Sequence, residues 1–211
     1  ARRMVYLIHR GELMQQESGP LPCWSLLTDD CIARGRDITA GGAVYAYHSV
    51  CLLGTAQACT ILYDAPDTAR DILSHYRQRT MRRMERYMAD IHPDCIGIGE
   101  DYCYRSGCFV SPALFREFFA PHYREIVDYG RAYGVRLFLV DSDGFVEGVV
   151  PRLEEVGINC LQAFEPRAGN DVVRVRARHP RFVIWGGLDK YVMDQRDPAV
   201  IDAEVDYKLP P

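Results

Sequence analysis

The stretch VRLFLVDSDG, residues 135–144, decides the fold. Five of its first six residues are apolar, and the run then stops on two aspartates and a glycine. A short run rich in Val, Leu and Phe predicts a strand that is buried on both faces. Acids near a buried strand cost free energy unless they have partners, and the carboxyl ends of parallel strands form the reactive mouth of α/β folds. Asp141 and Asp143 are therefore the first candidates for a functional site.

The same pattern repeats along the chain and predicts the fold class. Apolar strands are expected to begin near residues 94, 135, 158 and 182, and helices separate them. Such a series requires a parallel sheet with right-handed connections. The prediction is an α/β protein with a partial (β/α)8 TIM-barrel-like parallel sheet and a helical N-terminal segment. A whole barrel needs eight strands and about 250 residues. The 211 residues supply four clear strands, or five if part of 43–63 is extended.

Each predicted strand is followed by acidic residues, which would lie at one mouth if the strands are parallel neighbours. Acids also cap helices, but the repetition after four strands favours a functional role over capping alone. The predicted catalytic residues are Asp101, Asp141, Asp143 and Glu165. The predicted substrate-binding residues are Glu100, Gly186, Gly187, Asp189 and Lys190.

Bulk properties exclude several classes of partner. The net charge of −4 gives no reason to expect nucleic acid or an anionic membrane. Residues 43–63 lack charged side chains but contain many polar ones, so a buried helix or helix–strand segment is expected there rather than a membrane span. Eight cysteines without a CxxC motif, and no signal-peptide pattern, predict reduced thiols in a cytoplasmic protein. The expected partner is a small-molecule substrate, and a homo-oligomer remains open.

Local patterns add five smaller points. Residues 36–42 are expected to form a glycine-containing loop, and a long helix is expected from about residue 67 to 90. Four arginines form a basic stripe on that helix, which is expected to face solvent: Arg79, Arg82, Arg83 and Arg86. His122 is expected to pack within a helix. The spacing of Cys103 and Cys108 is too common to predict a metal site.

Residues 20–60 resemble an internal segment of the glycyl radical enzymes, the pyruvate formate-lyase family. The resemblance rests on Asp30-Cys31-Ile32, Gly35-Arg36-Asp37 and Gly41-Gly42-Ala43-x-Tyr45. In that family the segment is scaffold, and neither the radical-glycine motif nor the reactive-cysteine loop is found here. Cys31 is therefore expected to be a buried thiol. The chain is accordingly divided into an N-terminal segment, 1–60, and a second unit, 61–211.

The second unit resembles the uroporphyrinogen decarboxylase superfamily, specifically the later half of its (β/α)8 barrel. The similarity is carried in order by Gly99-Glu100-Asp101, Ser111-Pro112-x-Leu-Phe-Arg-Glu-Phe118, Pro121-His-Tyr123, Asp141-Ser-Asp-Gly144, Phe164-Glu165-Pro166, Gly169-x-Asp171 and Gly186-Gly187-x-Asp189-Lys190. The superfamily includes a tetrapyrrole decarboxylase and zinc-dependent methyltransferases that act with corrinoid proteins or thiols. The Asp-Ser-Asp-Gly loop is similar to that of methyltransferase-like members.

The resemblance implies methyl transfer from a small methylated substrate to a corrinoid or thiol acceptor. In the zinc methyltransferases the positions of Asp141 and Asp143 typically hold a His-x-Cys pair, so zinc is doubtful here and a harder divalent metal, or none, fits better. The aspartates would instead bind a cationic substrate or move protons, and Glu165 would carry protons or ligate a metal. Tetrapyrrole decarboxylation is the alternative, but its arginine-rich loop is not found. An inactive fusion or fragment, or a glycyl-radical-enzyme remnant, is a third possibility.

Overall fold

A five-stranded parallel sheet forms the centre of the computed structural model, which describes residues 33, 39–43, 50 and 53–209. The predictions for residues 1–32, including Cys31, lie outside the described residues. Seven strands occur in the described ranges. They are β1 (Thr39–Ala43), β2 (Cys95–Gly99), β3 (Cys103–Tyr104), β4 (Gly107–Cys108), β5 (Leu137–Asp141), β6 (Cys160–Ala163) and β7 (Val183–Gly186).

The order of the large sheet follows the chain. The strands lie as β1-β2-β5-β6-β7 and all neighbours are parallel, whereas β3 and β4 form a separate antiparallel hairpin after β2. Sequential parallel strands with intervening helices are the arrangement of a partial TIM-barrel-like sheet. The predicted fold class is confirmed.

Strand β1 corrects the prediction of a loop at residues 36–42 over its described part, residues 39–42. The sequence TAGGA pairs in parallel with β2, from Thr39 opposite Cys95 to Ala43 opposite Ile98, with a register shift across the two glycines. Glycine has low strand propensity, so this strand depends on its partner rather than on its own sequence. It is the fifth strand, and it connects part of the N-terminal segment to the sheet. The division of the chain at residue 60 stays a prediction.

Two consecutive helices precede β2. Helix α1 (Thr55–Asp64) is followed at once by α2 (Pro66–Ile91), where Pro66 suits the first turn because proline needs no amide partner there. Helix α2 buries Ile72, Leu73, Met84 and Met88 at helical spacing, which is the predicted long helix. None of the helices in the described ranges is long and apolar enough to cross a membrane.

Helix α3 lies between the hairpin and β5. It runs through Pro112–Leu114, a π-helical stretch Phe115–Phe119, and Ala120–Ala132. Ser111 caps it as predicted, because its hydroxyl accepts a hydrogen bond from the amide of Leu114 at 3.3 Å. The remaining helices are α4 (Val150–Glu155, after a 3₁₀ turn at Glu147–Val149), α5 (Val172–Arg178, after a 3₁₀ turn at Pro166–Ala168), α6 (Lys190–Asp194) and α7 (Pro198–Lys208).

The two faces of the sheet bury different amounts of apolar surface. The face under the helices joins the main core through Ile96, Ile98, Phe138, Val140 and Leu161. The opposite face carries a smaller cluster of Cys95, Leu139 and Cys160, packed with Leu137. In a barrel this second face is the interior. At β7 this second face is open to solvent, because Val183 and Trp185 are 39% and 47% exposed.

Candidate functional site

The carboxyl ends of four neighbouring strands lie at one level of the sheet. Gly99 of β2 is in register with Asp141 of β5, which pairs with Gln162 of β6, which in turn pairs with Trp185 of β7. The residues that follow these strands therefore emerge along one rim, as the sequence pattern predicted. The loop after β5, residues 141–147, is called the carboxylate loop below.

Asp141 and Asp143 have raised pKa values, and, besides desolvation, the charges of Asp101 and Glu165 contribute to them. Partial desolvation raises the pKa of Asp141 first, and the charges of Asp143 and Asp101 raise it further. Desolvation also raises the pKa of Asp143, followed by the charges of Glu165 and Asp101, while Lys190 opposes them. Like charges act this way only at short range, because each disfavours the ionised form of its neighbour. The structure thus brings the four predicted catalytic acids together as one cluster, called the acid cluster below.

Glu165 connects three strand ends within the acid cluster. One of its carboxylate oxygens accepts a hydrogen bond from the amide of Gly144 at 3.2 Å. Its other oxygen lies 3.6 Å from the ammonium nitrogen of Lys190, which follows β7. Because both oxygens have partners, the orientation of Glu165 is set by the protein before any substrate binds.

Glu100 lies behind the rim rather than on it. Its side chain is buried, and the hydroxyl of Tyr123 donates a hydrogen bond to it at 2.8 Å. Its amide donates to the carbonyl of Asp141 at 2.7 Å, which ties the end of β2 to the end of β5. Burial, followed by the charge of Glu100, raises the pKa of Tyr123 and of Tyr102. The predicted role of Glu100 in substrate binding remains a prediction, and the contacts described here are all within the protein.

A cavity of about 1420 Å³ opens beside the acid cluster. Six of the nine predicted site residues line it, namely Asp143, Glu165, Gly186, Gly187, Asp189 and Lys190. The other three, Glu100, Asp101 and Asp141, are not among its lining residues. Five basic residues line the cavity, and they are Arg105, Arg167, Arg176, Lys190 and Lys208. The cavity is larger than the range of about 300–1,000 Å³ typical of small-molecule sites, so it has room for such a substrate.

The two glycines after β7 are required by the protein's own packing. Both have positive φ, at +100° for Gly186 and +96° for Gly187. A Cβ on Gly186 would lie 2.9 Å from the carbonyl oxygen of Ala163, and one on Gly187 would lie 2.4 Å from a methyl of Val172. The two glycines thus allow neighbouring protein atoms to pack closely at the cavity wall, and their predicted role in substrate binding stays a prediction.

Asp189 has a structural explanation beside its place on the cavity wall. It caps α6, because its carboxylate accepts a hydrogen bond from the amide of Tyr191 at 2.9 Å. Its second oxygen pairs with Arg167 at 3.3 Å, and Arg167 also stacks on the Tyr191 ring at 3.8 Å. Capping and the ion pair account for the position of this carboxylate, and its predicted role in substrate binding stays a prediction.

Asn170 is a positioning residue that the sequence analysis missed. Its amide nitrogen donates to the carbonyls of Gly144 and Glu165 at 2.8 and 2.9 Å. Its carbonyl oxygen accepts from the amides of Val146 and Glu147 at 2.9 and 3.3 Å. The buried side chain thereby joins the carboxylate loop to the segment after β6. It occupies the unspecified position of Gly169-x-Asp171, where an asparagine predicts only a turn.

The donor set does not fit a zinc site of the kind that activates a thiol. In the part of the chain that the structure describes, no group of three or more His, Cys, Asp or Glu side chains is arranged to hold a metal ion. The acid cluster offers only carboxylate oxygens, whereas zinc that activates thiols takes nitrogen and sulfur ligands.

Comparison with known proteins identifies the family. The sequence profile of uroporphyrinogen decarboxylase (URO-D) matches residues 42–209, which is most of the chain. The chain belongs to the URO-D family. A second profile, pyruvate formate lyase-like, matches residues 1–63, and the two matches overlap between residues 42 and 63. Both resemblances expected from the sequence are therefore confirmed as matches.

A solved structure shows the fold of this URO-D family member independently. A methyltransferase from Methanosarcina mazei is similar with a TM-score of 0.50 and 12% sequence identity. The similarity covers 92% of this chain and 61% of the other, so the chain spans less than two thirds of its neighbour's length. No curated protein matches the sequence.

Proposed function

We propose that this URO-D family chain takes part in methyl transfer from a small, positively charged methylated substrate to a corrinoid or thiol acceptor. The observation that supports the proposal is the acid cluster beside the cavity. Clustered carboxylates with raised pKa values repel one another, and a bound cation relieves that repulsion. A methylated amine carries the required charge in a compact apolar shell.

The chemistry assigns a role to each part of the cluster. Asp141 and Asp143 hold the methylammonium group by charge, and Glu165, fixed by Gly144 and Lys190, completes the site. During transfer the nitrogen–methyl bond breaks, the electron pair stays on nitrogen, and the methyl carbon bonds to the nucleophilic acceptor atom. The products are a methylated acceptor and a neutral amine. With a thiol acceptor, a carboxylate of the cluster accepts the thiol proton.

Methyl transfer is proposed first because the similar solved structure is a methyltransferase, although the fold itself is common to the family. A corrinoid protein is accordingly the proposed acceptor, and it would approach the open edge of the cavity. The small-molecule substrate enters the same cavity. No step is assigned to a metal, because the carboxylate oxygens of the acid cluster do not fit a zinc ion that activates a thiol.

The test is transfer of a methyl group to free corrinoid. The full chain is mixed with tetramethylammonium and reduced cobalamin, and formation of methylcobalamin is followed by its absorbance. We expect methylcobalamin to form, and the Asp141→Asn/Asp143→Asn variant to slow its formation at least about tenfold. The control is Asp128→Asn, which alters an exposed carboxylate on α3. Absence of product, or equal rates in the double variant and the wild type, would contradict the proposal.

Decarboxylation of a tetrapyrrole polycarboxylate is the second candidate, and the basic residues of the cavity wall favour it. Four of these five cations are already engaged within the protein. Arg167 pairs with Asp189, Lys190 with Glu165 and Lys208 with Glu204, and Arg176 donates to the carbonyls of Pro180 and Phe182. We therefore rank it second. Release of carbon dioxide from uroporphyrinogen, together with no methyl transfer, would reverse the order.

A further inference from the structure

The hairpin after β2 places two cysteines directly opposite each other. Cys103 of β3 is in register with Cys108 of β4. The amide of Phe109 donates to the carbonyl of Tyr102 at 2.8 Å, so Tyr102 and Phe109 form a hydrogen-bonded pair. Because hydrogen-bonded and non-hydrogen-bonded pairs alternate along an antiparallel ladder, the adjacent cysteine pair is non-hydrogen-bonded. In a non-hydrogen-bonded pair the Cα atoms are about 4.5 Å apart and the side chains share one face. That separation lies within the range of about 4.4–6.8 Å that disulfides require.

The surroundings of the two thiols differ in a way that suits exchange chemistry. Both cysteines are free; Cys103 is buried at the cavity wall, whereas Cys108 is half-buried. The amide of Val110 donates to the sulfur of Cys108 at 3.4 Å. A hydrogen bond from Cys103, then the Val110 amide and the nearby Arg152 guanidinium, lower the pKa of the Cys108 thiol against its burial. Cys108 is therefore the attacking thiolate of the pair.

The hairpin is in direct contact with the carboxylate loop. The amide of Phe145 donates to the carbonyl of Tyr104 at 2.9 Å. A Cβ on Gly144 would lie only 2.8 Å from the backbone of Tyr104, so the two segments are packed backbone to backbone. Ser142, which separates the two aspartates, lies close enough to Cys103 to oppose the rise in the pKa of its thiol, and its hydroxyl donates to the carbonyl of Asp143 at 3.3 Å. A change at the thiols therefore reaches the loop that carries Asp141 and Asp143.

We propose that Cys103 and Cys108 form a reversible disulfide by exchange with a low-molecular-weight disulfide, and that this bond stiffens the hairpin against the carboxylate loop. The Cys108 thiolate attacks one sulfur of the small disulfide, which releases one small thiolate and leaves a mixed disulfide. The Cys103 sulfur then attacks the Cys108 sulfur and releases the second small thiol. Two protein thiols are oxidised, one disulfide is reduced to two thiols, and the two protons end on the released thiols.

Peptide mapping tests the bond in the full-length chain. The reduced protein is treated with oxidised glutathione, remaining thiols are alkylated, and trypsin is added. Cleavage after Arg105 separates the two cysteines, so the disulfide appears as peptide 87–105 joined to peptide 106–116. We expect this joined product, its loss on reduction, and its loss in Cys108→Ser. Unlinked peptides, or glutathione retained on Cys108, would overturn the proposal.

Two controls assign the bond and its effect. Peptide 87–105 also contains Cys95, so the product must disappear in Cys103→Ser and persist in Cys59→Ser. Amide hydrogen exchange of the oxidised and the reduced wild type then measures the effect of the bond on the carboxylate loop. We expect exchange of the Phe145 amide to slow at least about twofold on oxidation, because its acceptor Tyr104 lies in the closed hairpin. Equal exchange in both forms would overturn the coupling to the carboxylate loop, independently of any methyl transfer.

Discussion

Asp143 lies among charged neighbours that act on its pKa in opposite directions. Desolvation and the charges of Glu165 and Asp101 raise that pKa, and Lys190 lowers it. Asp141 responds to the other two aspartates without a contribution from the lysine. The difference between the two aspartates makes the acid cluster testable one residue at a time.

Removal of one neighbouring charge should shift the two aspartates in a defined pattern. We expect Asp101→Asn to lower the pKa of both Asp141 and Asp143, because a like charge disappears. Lys190→Met should raise the pKa of Asp143 and leave that of Asp141 nearly unchanged. The measurement is a pH titration of the side-chain carboxyl carbons by NMR. Asp128→Asn is the control for a remote surface charge, and unchanged titrations in the first two variants would show that the acids are not a cluster.

At the scale of elements, the carboxylate loop is fixed from two sides. Asn170 connects it to the segment after β6, and the hairpin backbone packs against Gly144. The loop also has Glu147 at its end, which accepts hydrogen bonds from the Asp171 amide and from Arg174. The positions of the aspartates therefore depend on residues that carry no acid–base chemistry themselves.

Loss of the Asn170 side chain should affect both the stability and the ionisation of the acid cluster. Asn170→Ala leaves buried amides and carbonyls without partners, and we expect it to lower the free energy of unfolding by about 2–4 kcal/mol. It should also shift the pKa of Asp143, because the carboxylate loop is released. The matched control is Asn159→Ala, which removes a similar asparagine bridge from the amide of Phe138 and the carbonyl of Arg136, at the amino end of the sheet. Denaturant unfolding measures the loss of stability, and the carboxyl titration measures the pKa of Asp143. Asn159→Ala should destabilise the protein without shifting the pKa of Asp143.

Gly144 of the carboxylate loop and Gly148, in the 3₁₀ turn just after it, should respond differently to alanine. Gly144 has a φ of +85° and no room for a Cβ, so Gly144→Ala should cost about 2–4 kcal/mol of stability. Gly148 has open space around its Cα, and Gly148→Ala should change stability by less than about 1 kcal/mol. Thermal unfolding checks the pair. Similar stabilities for the two variants would contradict the close packing of the loop on the hairpin.

At the scale of the whole molecule, the acid cluster makes stability depend on pH. The folded-state pKa values of Asp141 and Asp143 lie above their ordinary values, so the folded protein binds these protons more tightly than the unfolded chain does. The resulting stabilisation is fully present below the ordinary aspartate pKa, about 4, and is lost as pH rises through the raised values. The site therefore weakens the fold at neutral pH.

Neutral replacements should reverse that effect. We expect Asp141→Asn/Asp143→Asn to melt at a higher temperature than the wild type at neutral pH, with the difference disappearing below about pH 4. The control is Asp128→Asn/Asp202→Asn, which changes two exposed aspartates outside the acid cluster. A double variant less stable than the wild type at neutral pH would contradict the raised pKa values.

Much of this architecture could be predicted because it follows from local patterns. Apolar runs and capping residues gave β2, β5, β6, β7, α2 and α3, and parallel pairing then aligned the strand ends that carry the acids. Strand β1 could not be predicted, since TAGGA becomes a strand only beside β2. The network of Asn170 and the opposition of Cys103 to Cys108 also depend on register and packing. The assigned roles of the acids stay predictions.

The most direct test of the account is equilibrium binding of tetramethylammonium, which has the charge and shape of the proposed substrate and no hydrogen-bond donor. Binding to the full chain is measured by calorimetry at neutral pH, with Asp128→Asn as control. The account predicts measurable binding that weakens with added salt and falls at least about tenfold in Asp141→Asn/Asp143→Asn. No binding to the wild type, or equal binding to the double variant, would contradict it.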